Sequence, residues 1–171
     1  MKILIYNSGG GLGDSIQLFD LITTLKEKFG ENSLYYLSAH KNHFNEALKD
    51  YNIQLKSLKT NILYFGFRLW HLLISKKKIL NINSIDEFDL VIDLQSKIRN
   101  TLILKQFPTK YFYSPTFNFK YCSLKKNYQS TKNEINNIIL NLEKLLDTRI
   151  PLRKYSLKKI EKKYFIESRK L

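Results

Sequence analysis

Short, dense apolar runs alternate with segments of helical periodicity along the first 113 residues of the chain. The clearest run is FDLVIDL at 88–94, and KILIY at 2–6 has the same character. Runs this dense are typical of strands buried on both faces of a parallel sheet. Because strands and helices alternate, the pattern predicts βαβ units. We therefore expect an α/β fold with a mostly parallel sheet and flanking helices.

The other predicted elements follow from the same two patterns. Gly30 is a natural stop for the first helix, and Thr131 with Glu134 has the spacing of a capping box. Arg68 and His71 interrupt an apolar helical pattern, which favours a solvated stripe there. Residues 114–130 are expected to form an irregular loop. Strands are predicted at 2–6, 33–37, 53–55, 88–94 and 110–113, and helices at 14–29, 41–50, 61–74, 96–107 and 131–146, with a last helix beginning at Ser156.

The length of 171 residues suits one domain of ordinary size with a short appendage. We predict a domain over 1–147, followed by a basic linker and terminal helix over 148–171. Cys122 is the single cysteine, so no internal disulfide can form, and a reducing compartment is favoured. No apolar stretch approaches the ~20 residues that span a bilayer, and MKILIYN is too short for a signal-peptide core. We expect a cytoplasmic protein.

The formal net charge of +14 predicts attraction to nucleic acid, anionic lipid or a phosphorylated substrate. No helix-turn-helix, zinc-finger or RNP-like signature accompanies the charge, so a nucleic-acid partner is disfavoured. The segment 149–171 has nine basic and two acidic residues. Its last helix is expected either to contact an anionic membrane surface or to pack against another domain, and the second interpretation is favoured.

A glycine-rich stretch, YNSGGGLGDSI at 6–16, lies between the first strand and the first helix. The dinucleotide pattern G-x-G-x-x-G fails there, because glycine is required at position 14 or 16 and the chain has Asp14 and Ile16. A P-loop fails as well. Two interpretations of Asp14 remain open. It either caps its helix or, held ionised near the helix N-terminus, accepts a proton from an attacking hydroxyl.

Asp14 and Asp93 lie at the ends of two different predicted strands. Ligands of parallel sheets bind outside the carboxyl ends of the strands, so both residues are candidates for a site. Asp93 is interpreted mainly as structural, accepting backbone N–H groups of its turn. His40 and His43 have a spacing that two metal ligands could share, but no carboxylate constellation supports them, so no metal is expected.

Two motifs carry a family resemblance. The first is a short strand, a Ser/Gly turn ending Leu-Gly-Asp at 12–14, and an amphipathic helix; the second is FDLVIDLQSKIRNTLIL at 88–104. Together they resemble the family 9 glycosyltransferases, the ADP-heptose:lipopolysaccharide heptosyltransferases. In the second motif Ser96 stands where the family usually has glycine, and Asn100 where it has a small residue. The positions that match the family are Phe88, Asp89, Asp93, Leu94, Gln95 and Arg99.

The resemblance implies a GT-B arrangement, in which two Rossmann-like domains face each other across a cleft. The N-terminal domain receives the acceptor, here lipopolysaccharide core or another surface glycan. The C-terminal domain binds a nucleotide-sugar donor such as ADP-heptose. Transfer is metal-independent, needs no cofactor and inverts the anomeric carbon. The resemblance gives Asp14 the role of general base, and it places Gly10, Gly11, Gly13, Asp93, Gln95 and Arg99 among the substrate-binding residues.

A complete enzyme of this kind has a second domain of similar size. We therefore expect this polypeptide to be a fragment, a truncated gene product or half of a split enzyme. By itself it would be nearly inactive, because both substrates must be positioned together. The expected partners are a separate donor-binding half and, peripherally, the inner membrane. Two alternatives stay open: a non-catalytic basic module that binds anionic lipid or nucleic acid, and a different nucleotide-binding α/β enzyme.

Overall fold

The computed structural model describes residues 1–7, 11–38, 42–53, 55–58, 67–73, 87–131 and 134–156. Within these residues five strands form one sheet in the order β3-β2-β1-β4-β5, and every neighbouring pair is parallel. The predicted α/β fold with a parallel, Rossmann-like sheet is therefore confirmed. The strands are β1 (Ile3–Asn7), β2 (Leu34–Ser38), β3 (Lys56–Ser57), β4 (Phe88–Asp93) and β5 (Thr109–Tyr113).

Helices cover both faces of this sheet. Side chains alternate along each strand because successive residues point to opposite faces. The helices are α1 (Leu12–Ile16), α2 (Phe19–Phe29), α3 (Ile98–Leu104) and α4 (Ile135–Leu146). Ile5 and Tyr36 join a core with α2 and α4, whereas Leu4 and Tyr6 join a second core with α3. Every residue of β1 is buried, as its dense apolar sequence predicts.

The first predicted helix is two helices. The chain tightens at Gln17 and Leu18, where the Leu18 N–H bonds the Ser15 carbonyl three residues back rather than four. Helix α2 then runs to Gly30, which has φ of 95° and ends the helix as predicted. The break leaves α1 as a short element at the end of β1, separate from the helix that builds the core.

Three local predictions were wrong. In place of a helix over 41–50 there are 3-10 turns at His43–Asn45 and Lys49–Tyr51, because the Asn42 and Asn45 side chains bond the Leu55 carbonyl instead of sustaining a helix. The third strand pairs at Lys56–Ser57 instead of 53–55. Helix α4 begins at Ile135 with Glu134 in extended conformation, so the capping box at Thr131 does not form.

The segment predicted as a helix over 61–74 is described only at 67–73, where it forms a 3-10 helix, Leu69–Leu73. His71 is buried there, so the predicted solvated stripe is wrong for that residue. The loop over 114–130 contains a turn, Thr116–Phe119, in which Phe117, Asn118 and Phe119 all have positive φ. The helix predicted from Ser156 lies outside the described residues.

The segment 148–156 lies against α2. Ile150 is buried, the Arg153 N–H bonds the Thr24 hydroxyl at 2.9 Å, and the Tyr155 N–H bonds an Asp20 carboxylate oxygen at 2.7 Å. The domain boundary at 147 stays a prediction. Of the helices in the described ranges, none combines the length and apolar character needed to cross a bilayer.

Candidate functional site

The carboxyl ends of β1, β4 and β5 meet at one edge of the sheet. Asn7 ends β1 and Asp93 ends β4, and the register pairs Tyr6 with Asp93 and Ile92 with Tyr113. From β1 the chain builds β2 and β3 on one side, and β4 with β5 on the other. The winding therefore reverses between β1 and β4. In open parallel sheets, ligands bind outside the carboxyl ends at such a reversal.

Asp14 lies exposed in the first turn of α1, beside this reversal. Its Oδ2 accepts the Gly11 N–H at 3.4 Å, a long hydrogen bond that closes the start of the helix. The carboxylate thus has the capping contact that its sequence position predicts. It also remains exposed, so a substrate hydroxyl can reach it.

The two described glycines beside Asp14 do not form a strained turn. Gly11 has an extended backbone with φ of −85°, and a Cβ placed on it would meet Asp14 Oδ2 at 3.3 Å. A Cβ on Gly13 would meet nothing within 4 Å. Gly13 therefore keeps an uncovered backbone at the edge, where a ligand can approach closely. Gly10 lies outside the described residues.

Gln95 spans the gap between the two central strands. Its Nε2 donates to Asn7 Oδ1 at 2.9 Å, linking the turn after β4 to the end of β1. Its backbone N–H donates to Asp93 Oδ1 at 2.9 Å, and its carbonyl accepts the Thr116 hydroxyl at 3.3 Å. Gln95 is half-buried and held by three neighbours. Gln95 therefore presents a fixed polar side chain at the point where the winding of the sheet reverses.

Asp93 is fully buried beneath Gln95 and is the centre of a hydroxyl network. Its Oδ2 accepts the Thr101 hydroxyl at 2.6 Å and the Ser114 hydroxyl at 2.9 Å. Thr101 also lies 2.7 Å from the Thr116 hydroxyl. The network joins β4, α3, the end of β5 and the turn after it. The predicted bond from Asp93 to its turn is present, and its burial makes contact with a ligand unfavourable.

The surroundings of Asp93 disfavour its charge. Burial raises the pKa of Asp93 from 3.8 to about 6, although the hydrogen bonds from Thr101, Gln95 and Ser114 act in the opposite direction. A buried carboxylate without a cationic partner is expensive unless its oxygens are hydrogen-bonded. The three donors around Asp93 are what make its burial tolerable.

The turn after β5 is strained and begins beside this network. Phe117, Asn118 and Phe119 have φ values of 47°, 51° and 63°, a left-handed conformation that costs about 1–2 kcal/mol per residue without glycine. Thr116 is anchored in the network and Phe119 is buried, so both ends are fixed. Phe117 between them is 65% exposed. Strain of this kind clusters at functional sites.

Arg99 lies half-buried on α3, and its Nε donates to Asn100 Oδ1 at 3.4 Å. Its charge also acts on His71, whose pKa is lowered first by burial and then by Arg68 and Arg99. The structure thus joins Gln95 to Asp93 by a hydrogen bond. Asp14 lies on α1, after the neighbouring strand β1, and Arg99 lies on α3, the helix that follows Gln95.

A cavity of about 200 Å³ lies at the opposite, amino edge of the sheet, where Met1, Asp89 and Lys110 line it. Asp89 there accepts the Lys2 N–H at 2.6 Å, which ties the carboxylate to the backbone. Parallel sheets place their ligands at the other edge. In the part of the chain that is described, no three His, Cys, Asp or Glu side chains are grouped to hold a metal ion. His40 lies outside it.

Sequence reasoning missed Asn7, Thr101, Ser114, Thr116 and Phe117. The hydroxyl residues come from three elements, so their grouping is visible only in three dimensions. Asn7 had a signal: a polar residue that ends a dense apolar strand lies at the carboxyl edge. Nothing in the sequence at Phe117 indicates a left-handed turn, because the turn contains no glycine.

No model of a known protein family, no curated protein and no solved structure matches this chain.

Proposed function

We propose that this chain is the acceptor-side domain of a heptosyltransferase-like glycosyltransferase of GT-B arrangement, similar to family 9. It would act in the synthesis of lipopolysaccharide or another surface glycan. The observation that carries the proposal is the exposed Asp14 carboxylate beside the uncovered backbone of Gly13, at the point where the sheet reverses its winding. The two sequence motifs that resemble the family meet at this edge.

The proposed reaction needs one base and no metal. Asp14 accepts the proton of an acceptor hydroxyl while that oxygen forms a bond to the anomeric carbon of the donor sugar. The bond from that carbon to the diphosphate breaks, and the nucleoside diphosphate leaves with the electron pair. Because attack and departure are on opposite faces, the configuration inverts. A positioned general base of this kind contributes roughly 10²–10⁴-fold to the rate.

The proposal assigns different roles to the other edge residues. Gln95, fixed by Asn7 and the network below it, would hydrogen-bond acceptor hydroxyl groups with its remaining amide atoms. Arg99 would attract phosphate or carboxylate groups of the acceptor. Asp93 would act as a positioning residue that holds the Gln95 turn, since its own carboxylate is buried.

A transfer assay tests the proposal. The chain is incubated with ADP-heptose and lipopolysaccharide core oligosaccharide, with and without a donor-binding domain supplied as a separate polypeptide, and the glycosylated product is measured. We expect product with the supplied domain and loss of at least 10²-fold for Asp14→Asn. Product formation by Asp14→Asn at the unmodified rate would contradict the role of Asp14 as base.

A matched control separates chemistry from folding. Asp20 is another aspartate in the first turn of a helix, α2, and its carboxylate accepts the Tyr155 N–H. Asp20→Asn is expected to leave transfer unchanged, provided both variants unfold at similar urea concentrations. Asp93→Asn is expected to raise KM more than it lowers kcat, because a positioning residue acts on the acceptor through Gln95.

The alternative function is a basic module that binds anionic lipid or nucleic acid. The charge distribution favours it, because residues 94–133 contain no acid. Binding to nucleic acid would weaken steeply as salt rises, with a slope set by the phosphates neutralised. If hydrogen bonds at Gln95 dominate acceptor binding, the affinity for the acceptor would fall much less as salt rises. A steep salt slope together with no binding of the core oligosaccharide would favour the alternative.

A further inference from the structure

The Leu69–Leu73 helix presents three large apolar side chains to solvent. Leu73 is 90% exposed, Leu69 is 69% exposed and Trp70 is 54% exposed. In a helix with three residues per turn, Trp70 and Leu73 lie one above the other, and Leu69 directly precedes Trp70 in the chain. We call these three side chains the apolar strip. Single exposed leucines are ordinary, but contiguous exposed apolar side chains mark interaction sites.

The inner side of this helix is fixed to the protein. His71 is buried, and its Nδ1 accepts the Arg68 N–H at 2.8 Å. The Leu72 carbonyl accepts Gln106 Nε2 at 3.3 Å, and the Leu72 side chain packs against the core that α3 covers. Phe67, at the start of the segment, packs on Tyr6 with ring centroids 5.2 Å apart. These contacts fix the inner side of the helix, so the apolar strip faces solvent.

The surroundings of the apolar strip are positively charged. Arg68 precedes it, and the charges of Arg68 and Arg99 both reach the His71 ring beneath it. Helix α3, which packs against the Leu69–Leu73 helix, contains no acid and is flanked by Lys97 and Lys105. In the sequence, three consecutive lysines follow at 76–78. Exposed Trp and Leu side chains with flanking cations are typical of segments that lie in the interface of an anionic bilayer.

We propose that the apolar strip docks the protein on an anionic membrane, with Leu69, Trp70 and Leu73 inserted at the boundary of headgroups and acyl chains. The described cations beside the strip then contact the lipid phosphates. The Leu69–Leu73 segment is distant in sequence from the basic tail after Ser156. Lipid binding by the strip requires no sugar donor or acceptor, so it holds or fails independently of the proposed transfer reaction.

The chain contains a single tryptophan, so its fluorescence reports on the apolar strip directly. The full chain is mixed with vesicles of phosphatidylcholine containing phosphatidylglycerol, and separately with vesicles of phosphatidylcholine alone. We expect the Trp70 emission to shift to shorter wavelength with the anionic vesicles and to be quenched by lipids brominated on their acyl chains. Raising the salt concentration should weaken the binding, because charges more than a Debye length apart are screened.

Two double variants keep Trp70 as the reporter. Leu69→Ser with Leu73→Ser is expected to weaken binding about tenfold for each leucine removed from the bilayer. The control is Leu124→Ser with Leu152→Ser, which replaces two leucines that are 41% and 36% exposed elsewhere, and it should bind like the parent. Circular dichroism and urea midpoints verify that both variants fold.

Three outcomes would overturn the proposal. The first is no binding to anionic vesicles. The second is binding without any change in Trp70 emission, which would place the membrane contact on another face, such as the tail. The third is a shift to shorter wavelength that grows with protein concentration in the absence of vesicles, which would show that a second copy of the chain covers the apolar strip.

Discussion

Asp14 and Asp93 occupy similar places at the carboxyl edge of the same sheet, yet their surroundings differ in every respect. Asp14 is exposed and accepts one long hydrogen bond of 3.4 Å from its own helix. Asp93 is fully buried and accepts bonds from a backbone N–H and two hydroxyls, the longest of 2.9 Å. The Asp14 carboxylate can therefore contact a substrate, whereas the Asp93 carboxylate holds the Gln95 turn in place.

The difference comes from the segments that succeed the two strands. After β4, Thr101 on helix α3 donates a hydrogen bond to Asp93 at the strand end. Ser114, which follows β5, also donates to Asp93, and Thr116 contacts Thr101. The described turn before Asp14 offers Gly11 and Gly13, which have no side chains to cover it. A residue type and its position after a strand are therefore insufficient to define a role, because the neighbours decide whether the charge is exposed or enclosed.

The largest expected effect is on stability. Asp93→Ala removes the acceptor for the Gln95 N–H and for the Thr101 and Ser114 hydroxyls, so we expect the free energy of unfolding to fall by roughly 2–4 kcal/mol. Asp14→Ala is the matched variant and is expected to cost only a few tenths of a kcal/mol, since its cap bond is long and exposed. Urea unfolding of both variants measures the difference. Equal losses would contradict the contrast between the two carboxylates.

A smaller effect is expected from pH. The pKa of Asp93 is raised from 3.8 to about 6, so the folded protein binds this proton more tightly than the unfolded chain. The resulting stability is fully present below about pH 4 and is lost as the pH rises through about 6. Lowering the pH from 7 to 5 should add about 1 kcal/mol through Asp93. The measurement is the difference between the parent and Asp93→Asn at each pH, and a constant difference would contradict the prediction.

The smallest effect tests the strained turn on the β5 side. Asn118 has φ of 51°, where glycine has no steric cost, so Asn118→Gly should stabilise the protein by about 0.5 kcal/mol after the entropy of the unfolded glycine is counted. Asn127→Gly is the control, because Asn127 is an exposed loop residue outside the positive-φ region. It should destabilise slightly. Thermal unfolding of the two variants measures the sign, and a loss at Asn118 as large as at Asn127 would contradict the left-handed strain.

The sequence was sufficient for the sheet wherever strands are buried on both faces. β1 and β4 lie within one residue of their predicted bounds, because a dense apolar run is buried most completely in the interior of a parallel sheet. Prediction failed where local side chains compete with the backbone, as at Asn42 and Asn45. It also failed at β3, where Ile53 and Leu55 are buried but the strand pairs one residue after Leu55.

The candidate site was predictable only in part. Asp14, Asp93 and Gln95 could be placed at the carboxyl edge because each ends or follows a strand and the strands are parallel. The hydrogen bond from Gln95 to Asn7 joins residues 88 positions apart, and the hydroxyls around Asp93 come from α3 and the end of β5. Such contacts depend on strand order and register, which no local pattern specifies.

We propose that the carboxyl edge between β1 and β4 is the surface that binds a glycan acceptor. Titration of the isotope-labelled chain with lipopolysaccharide core oligosaccharide, followed by NMR chemical shifts of the backbone amides, tests it without a donor. We expect saturable shifts at Gly11, Gly13, Asp14 and Gln95, reduced in the Asp14→Asn variant. Shifts confined to the amino edge around Asp89 and Lys110, or no shifts at any residue of the carboxyl edge, would contradict it.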